Sequence, residues 1–162
     1  MRKILYACLI AALALPAVSI AARRAPGDGT LSVKDARGLV LVTARGGLIG
    51  RCAKRCEILI DDPVPGDGSG PVVFGDDFAR QVSDTAMIYR GNDIRFRIIG
   101  GAYRVKVTGV GINLSAVGKG SFTLDGAGTG DDGSYAVDGG EYLPLPDERT
   151  RQPLGAPAPA GG

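Results

Sequence analysis

The chain contains no histidine and no tryptophan. Without imidazole, the serine and cysteine triads and the common zinc sites that depend on it are excluded. Aromatic residues are only 6% of the 162, so platforms for stacking sugar rings are scarce. Cysteine occurs three times and methionine twice. What is abundant is glycine, 26 residues against a usual level of about 7%. With the 10 prolines this stays just under the level of roughly 25% that marks disordered low-complexity chains. Apolar residues are 44% and charged residues 22%, enough for a packed core in one small domain.

The first residues read as an address. Arg2 and Lys3 form a charged n-region, an apolar run follows to Ala17, and Ser19 and Ala21 sit at −3 and −1 of a small-residue cleavage site. This is the layout of a secretory signal peptide over residues 1–21. Against a membrane anchor, the apolar run is shorter than the roughly 20 residues of a span, contains Pro16 and precedes Arg23 and Arg24. The mature chain is therefore expected to be exported, to the periplasm, cell envelope or medium, with no membrane span. Without Arg2 and Lys3 the 19 basic residues fall to 17, equal to the 17 acidic ones. Net charge predicts no nucleic-acid partner. The charge is uneven: residues 31–124 carry 13 Lys/Arg and 9 Asp/Glu, residues 125–162 carry 2 and 7.

Beyond a linker at 22–28, apolar residues alternate at period two and Gly, Asp or Pro interrupts every few residues, the signature of short strands. Strands are expected at 31–34, 39–44, 48–52, 56–61, 72–74, 85–90, 94–99, 102–108, 112–117, 121–124 and 134–137. Asp76 is expected to cap one or two helical turns through Val82. Residues 146–162, with Pro146, Pro153, Pro157 and Pro159 among Ala and Gly, are expected to be an unfolded tail.

Residues 31–61 and 94–125 are an internal repeat, offset by 63 and by 64 after one gap. Leu31 and Val33 match Ile94 and Phe96; Val40, Val42 and Ala44 match Tyr103, Val105 and Val107; Gly46 matches Gly109; Ile58 and Ile60 match Phe122 and Leu124. A four-stranded meander alone leaves one apolar face bare. Two copies facing each other predict an all-β domain over 29–145, a compact barrel or sandwich with pseudo-twofold symmetry.

The segment Arg90-Gly-Asn-Asp-Ile-Arg-Phe-Arg-Ile-Ile-Gly-Gly and the later Gly111-Ile-Asn-Leu-Ser-Ala-Val-Gly-Lys-Gly resemble a family of uncharacterised, secreted, Gly-rich bacterial proteins, over roughly residues 29–145. The resemblance implies export and a shared β fold. It carries no activity and no catalytic residue across.

Four groups of residues have chemical potential. The first is a cationic face. Arg95 and Arg97 alternate with Ile94, Phe96 and Ile98, and Arg104 and Lys106 alternate with Tyr103, Val105 and Val107. A Gly100-Gly101 hairpin turn would set Arg97 opposite Arg104 and Arg95 opposite Lys106, with the four cations on one face. Facing like charges are unfavourable. Neighbouring carboxylates or solvent would relieve them, or an anionic ligand such as an envelope polymer or lipid head group. The second is Cys52-Ala-Lys-Arg-Cys56, whose cysteines would face each other across a three-residue loop and form a disulfide after export, with Arg51 facing Glu57. The leader removes Cys8. The third is a set of acidic turns at Asp61-Asp62, Asp76-Asp77 and Asp131-Asp132. Asp and Gly are ordinary turn formers, and Asp131 and Asp132 are only weak calcium candidates, so no metal site is assigned. The fourth is catalysis without histidine, by paired carboxylates or by Ser115 or Ser121 with Lys119 in its Gly-Lys-Gly turn.

The sequence thus predicts an exported, non-enzymatic β-module with no cofactor, binding an anionic envelope polymer or head group. The alternative is a small cell-wall hydrolase using paired carboxylates. Two or more carboxylates gathered into one pocket from both repeats would favour the hydrolase.

Overall fold

The computed structural model describes residues 25–156; the proposed leader and the last six residues lie outside them. The chain is all-β. Its strands are β1 (Gly29–Asp61), β2 (Gly68–Gln81), β3 (Ala86–Gly100), β4 (Ala102–Gly126), β5 (Ser134–Val137), β6 (Leu143–Pro144) and β7 (Thr150–Leu154). They form an antiparallel sheet in the order β2-β3-β1-β4-β7, with β5 on β1 and β6 on β5. The sheet is not closed.

Several strands expected separately are one continuous strand. β1 alone covers the four expected between residues 31 and 61. Alternation predicts where side chains point but not that the chain keeps its ladder partners through a bend. The bends fall where the register shifts or the backbone turns left-handed. In β1 these lie at Asp35, Gly46 and Arg55, in β2 at Gly75, in β3 at Asp93, and in β4 at Gly111 and Gly118.

Each long strand therefore supplies segments to two ladders. In the first, β5 pairs with residues 31–34 of β1, and residues 29–33 pair with 114–118 of β4. That β4 segment pairs on its other edge with 46–52 of β1, which pairs with 94–98 of β3, which pairs with the first half of β2. In the second, β7 pairs with 120–124 of β4, then come 39–45 of β1, 102–108 of β4, 57–61 of β1, 86–90 of β3 and the second half of β2.

Three sequence expectations are corrected. The segments 31–61 and 94–125, expected as repeats, do not each pair internally as a meander: residues 39–45 take both neighbours, 102–108 and 119–125, from the other segment. Residues 76–82 form no helical turn. Ala79, Arg80 and Gln81 pair with Tyr89, Ile88 and Met87, and this pairing outweighs local helix propensity. The segment 146–162 is not a tail throughout. Residues 150–154 are strand β7, and Leu154 is buried in the core at 1% exposure. Composition hid this, because Pro153 is tolerated on an end strand with only one partner.

The core is drawn from residues 31–61 and 94–125 alike. Val40, Val42, Ile58 and Ile60 meet Val105, Val107, Phe122 and Leu124, all essentially buried. The six apolar residues expected to share one face, Ile94, Phe96, Ile98, Tyr103, Val105 and Val107, are all in it. Each such side chain contributes about 1.5–3 kcal/mol by leaving water.

Candidate functional site

The expected hairpin at Gly100-Gly101 does not form, because β3 and β4 are not neighbours. Both glycines have positive φ and lead the chain from the first ladder into the second. The corner is held by Asp67, whose carboxylate accepts from the Ala102 N–H at 3.1 Å and pairs with Arg45 at 2.8 Å. The four predicted cations are thereby divided. Arg95 and Arg97 project from the first ladder, Arg104 and Lys106 from the second.

On the first ladder, two rows of side chains cross the outward face. One runs Ser32, Ser115, Ile49, Arg97, Val72; the other runs Asn113, Arg51, Arg95, Phe74. Lys34 closes the end beside Asn113, its Nζ 3.9 Å above the ring of Tyr142. These rows line an open groove of about 900 Å³. Ile49 and Phe74 are 61% and 62% exposed in it. Gly50, between the rows, leaves space that the Phe96 ring fills from beneath.

Arg51 and Arg95 are direct cross-strand partners, which places two guanidinium groups face to face. Asp93, left-handed at the bend of β3, answers both, bonding Arg51 Nε at 2.5 Å and Arg95 at 3.4 Å. The hydrogen bond from Arg51, and then the two positive charges, hold its carboxyl below the usual aspartate range. Arg97 makes no ion pair among the described residues. Lys34, Arg51, Arg95 and Arg97 thus line one groove, in which Asp93 pairs with Arg51 and Arg95, while Lys34 also borders the depression that holds Asp35 and Asp131. Sequence reasoning missed Lys34 and Arg51. The alternation of β1 places both outward, but only the ladder order brings them to Arg95.

Cys52 and Cys56 form a disulfide, with Cα atoms 5.9 Å apart. It does not close a hairpin. It ties the two sides of a bulge where β1 leaves the first ladder for the second. Arg51 consequently faces Arg95 and Asn113, and Glu57 pairs instead with Arg90 at 2.7 Å. The bonded pair points to an oxidising, non-cytoplasmic setting. No described helix is long and apolar enough to cross a membrane.

Of the acidic pairs, Asp76-Asp77 lies within strand β2, and Asp61 and Asp132 are engaged by neighbouring threonines. Asp132 is buried, and its carboxylate accepts from the Thr129 backbone N–H and hydroxyl, which hold its pKa down. Asp131 is exposed beside it. Asp61 accepts from the Thr85 hydroxyl at 2.7 Å. Among the described residues no group of three His, Cys, Asp or Glu side chains is arranged to hold a metal. Four carboxylates, Asp35, Asp131, Asp132 and Asp147, line a depression of about 590 Å³, and only Asp35 lies in the segments 31–61 and 94–125. Ser115 opens onto the groove and Ser121 onto the second ladder's outward face, whereas Lys119 lies on the exposed stretch between Gly118 and Gly120.

No family model, no curated protein and no solved structure matches this chain.

Proposed function

We propose that this chain is an exported, non-enzymatic β-module that binds an anionic envelope polymer through the groove of its first ladder. The observation that carries this is the gathering of Lys34, Arg51, Arg95 and Arg97 along one groove in which Asp93 is the one carboxylate ion-paired to them among the described residues. Extended strands repeat their outward side chains about every 6.6 Å. A polymer with regularly spaced phosphates or carboxylates can meet several of these cations at once, and the exposed Ile49 and Phe74 can cover its apolar parts. Arg104 and Lys106 lie in the other ladder and are left out of this groove.

Architecture belongs to the same proposal. The two ladders pack as the layers of a sandwich, with the shared core between them and Arg95 and Arg104 on opposite outer surfaces. The pairings support pseudo-twofold symmetry. Exchanging residues 31–61 with 94–125 turns the pairing of 31–33 with 114–116 into that of 94–96 with 50–52. It maps the pairing of 39–45 with 102–108 onto itself, and that of 39–45 with 119–125 onto the segments 57–61 and 104–108 with the register displaced by two residues. The leader, cleavage after Ala21 and membership of the secreted Gly-rich family complete the reading, and the disulfide supports export.

The test is a pull-down of the exported chain with purified cell-wall, glycan and lipid fractions, beside an Arg95→Ser/Arg97→Ser variant. Retention on an anionic polymer fraction that the variant loses supports the proposal. Equal retention of both proteins, or retention on no anionic polymer fraction, overturns it.

A further inference from the structure

The second ladder carries a different arrangement on its outward face. Thr43 has Arg104 as its cross-strand partner on one edge and Ser121 on the other. Ser121 in turn receives the guanidinium of Arg151, whose NH2 group donates to Ser121 Oγ at 2.9 Å and whose Nε donates at 3.3 Å. Arg151, on β7, stands opposite Thr123 and reaches diagonally to Ser121, so a guanidinium flanks the two hydroxyls on either side. Together with Leu41 and Thr123, these residues line a depression of about 260 Å³. No carboxylate lines it.

The two arginines stand on strands three spacings apart, about 14 Å between backbones. Arg151 already leans inward to Ser121, so both guanidinium groups serve one space above Thr43. Neither makes an ion pair among the described residues. Asp61 is the carboxylate across from Arg104 on the strand beyond, and its Oδ1 is engaged by the Thr85 hydroxyl. Two cations without an ion pair beside a row of hydroxyls repel one another, and an anion that takes hydrogen bonds from both relieves this.

We propose that this depression is a binding site for one tetrahedral oxyanion, phosphate or sulfate, as a free ion or a terminal monoester. The donors converge from three directions: Arg104 on one side, Arg151 on the other, and the Thr43, Ser121 and Thr123 hydroxyls beneath. A tetrahedral anion offers an oxygen to each direction, whereas a planar carboxylate offers two in one plane. The site is separate from the groove of the first ladder and shares no residue with it.

The test titrates the exported chain with inorganic phosphate, glycerol phosphate or chloride at matched ionic strength, reading the amide and arginine Nε–H signals by NMR. Saturable shifts at Thr43, Arg104, Ser121 and Arg151 with phosphate but not chloride are expected. Glycerol phosphate giving the same shifts assigns a terminal monoester, and phosphate alone giving them assigns the free ion. Arg104→Gln and Arg151→Gln, checked by unchanged core signals, should each weaken binding about tenfold or more. Arg95→Ser/Arg97→Ser should leave it unchanged. Absence of saturable shifts overturns the proposal, as does undiminished binding in both Gln variants. If Arg151→Gln lowers only the melting temperature and phosphate still binds, Arg151 is a strand tie and the assignment also fails.

Discussion

A Cβ atom on Gly109 would stand 2.6 Å from the Sγ of Cys52. The disulfide corner of β1 thus rests against bare backbone of β4. The carbonyl oxygens of Lys54 and Arg55 lie 3.0 and 3.1 Å from the same point, and Gly109 has φ +156°. Replacing Gly109 by Ala forces the corner outward and strains the backbone. A loss of about 1–3 kcal/mol is expected, read as a lower denaturation midpoint; an unchanged midpoint would show that the corner yields freely.

The disulfide itself closes a very short loop. On the chain-entropy account its removal should lower stability by only about 2 kcal/mol. Cys52→Ser/Cys56→Ser should therefore fold and melt earlier, and the wild type should release no free thiol until reduced. Two reactive thiols in the untreated, unreduced protein would contradict this.

Strand β7 is part of the folded domain. Leu154→Ala removes a side chain that is 1% exposed and should cost about 2–5 kcal/mol. Deletion of residues 150–162 should also uncover the 120–124 edge of β4. Retention of full stability after that deletion would return the segment to a tail.

Stability should fall at both ends of the pH range. Hydrogen bonds lower the carboxyl pKa values of Asp93, chiefly from Arg51, and of Asp132, chiefly from Thr129. Their contribution is present above the unfolded aspartate value of about 4 and is lost as pH falls through the lower folded values. Burial pushes the Tyr103 hydroxyl upward, so its contribution is present below about pH 10 and is lost as pH rises through the higher folded value. Denaturation midpoints across pH, with carboxyl titration by NMR, check both arms; midtransitions of Asp93 and Asp132 at the ordinary value would contradict the acid arm.

How far the sequence reached can be followed residue by residue. Alternation placed Ile94, Phe96 and Ile98 inside and Arg95 and Arg97 outside, because side-chain direction follows from local geometry alone. Cysteine spacing and the export pattern led to the Cys52–Cys56 disulfide. Pairing partners were beyond reach. Two adjacent glycines serve equally as a hairpin turn and as a passage between ladders, and the choice at Gly100-Gly101 depends on Asp67, more than thirty residues earlier. That choice separated Arg97 from Arg104 and brought Arg95 to Arg51. Arg151 was missed because its prolines and glycines read as loose chain, while Leu154 anchors the strand.

The most direct test of the groove is the affinity of the chain for a regular polyanion, such as a polyphosphate-backbone wall polymer, across a salt series. Lys34, Arg51, Arg95 and Arg97 predict tight binding that weakens steeply with salt, and a drop of about tenfold or more in Arg95→Ser/Arg97→Ser with a shallower salt slope. Equal affinity and equal slope in wild type and variant would contradict the assignment.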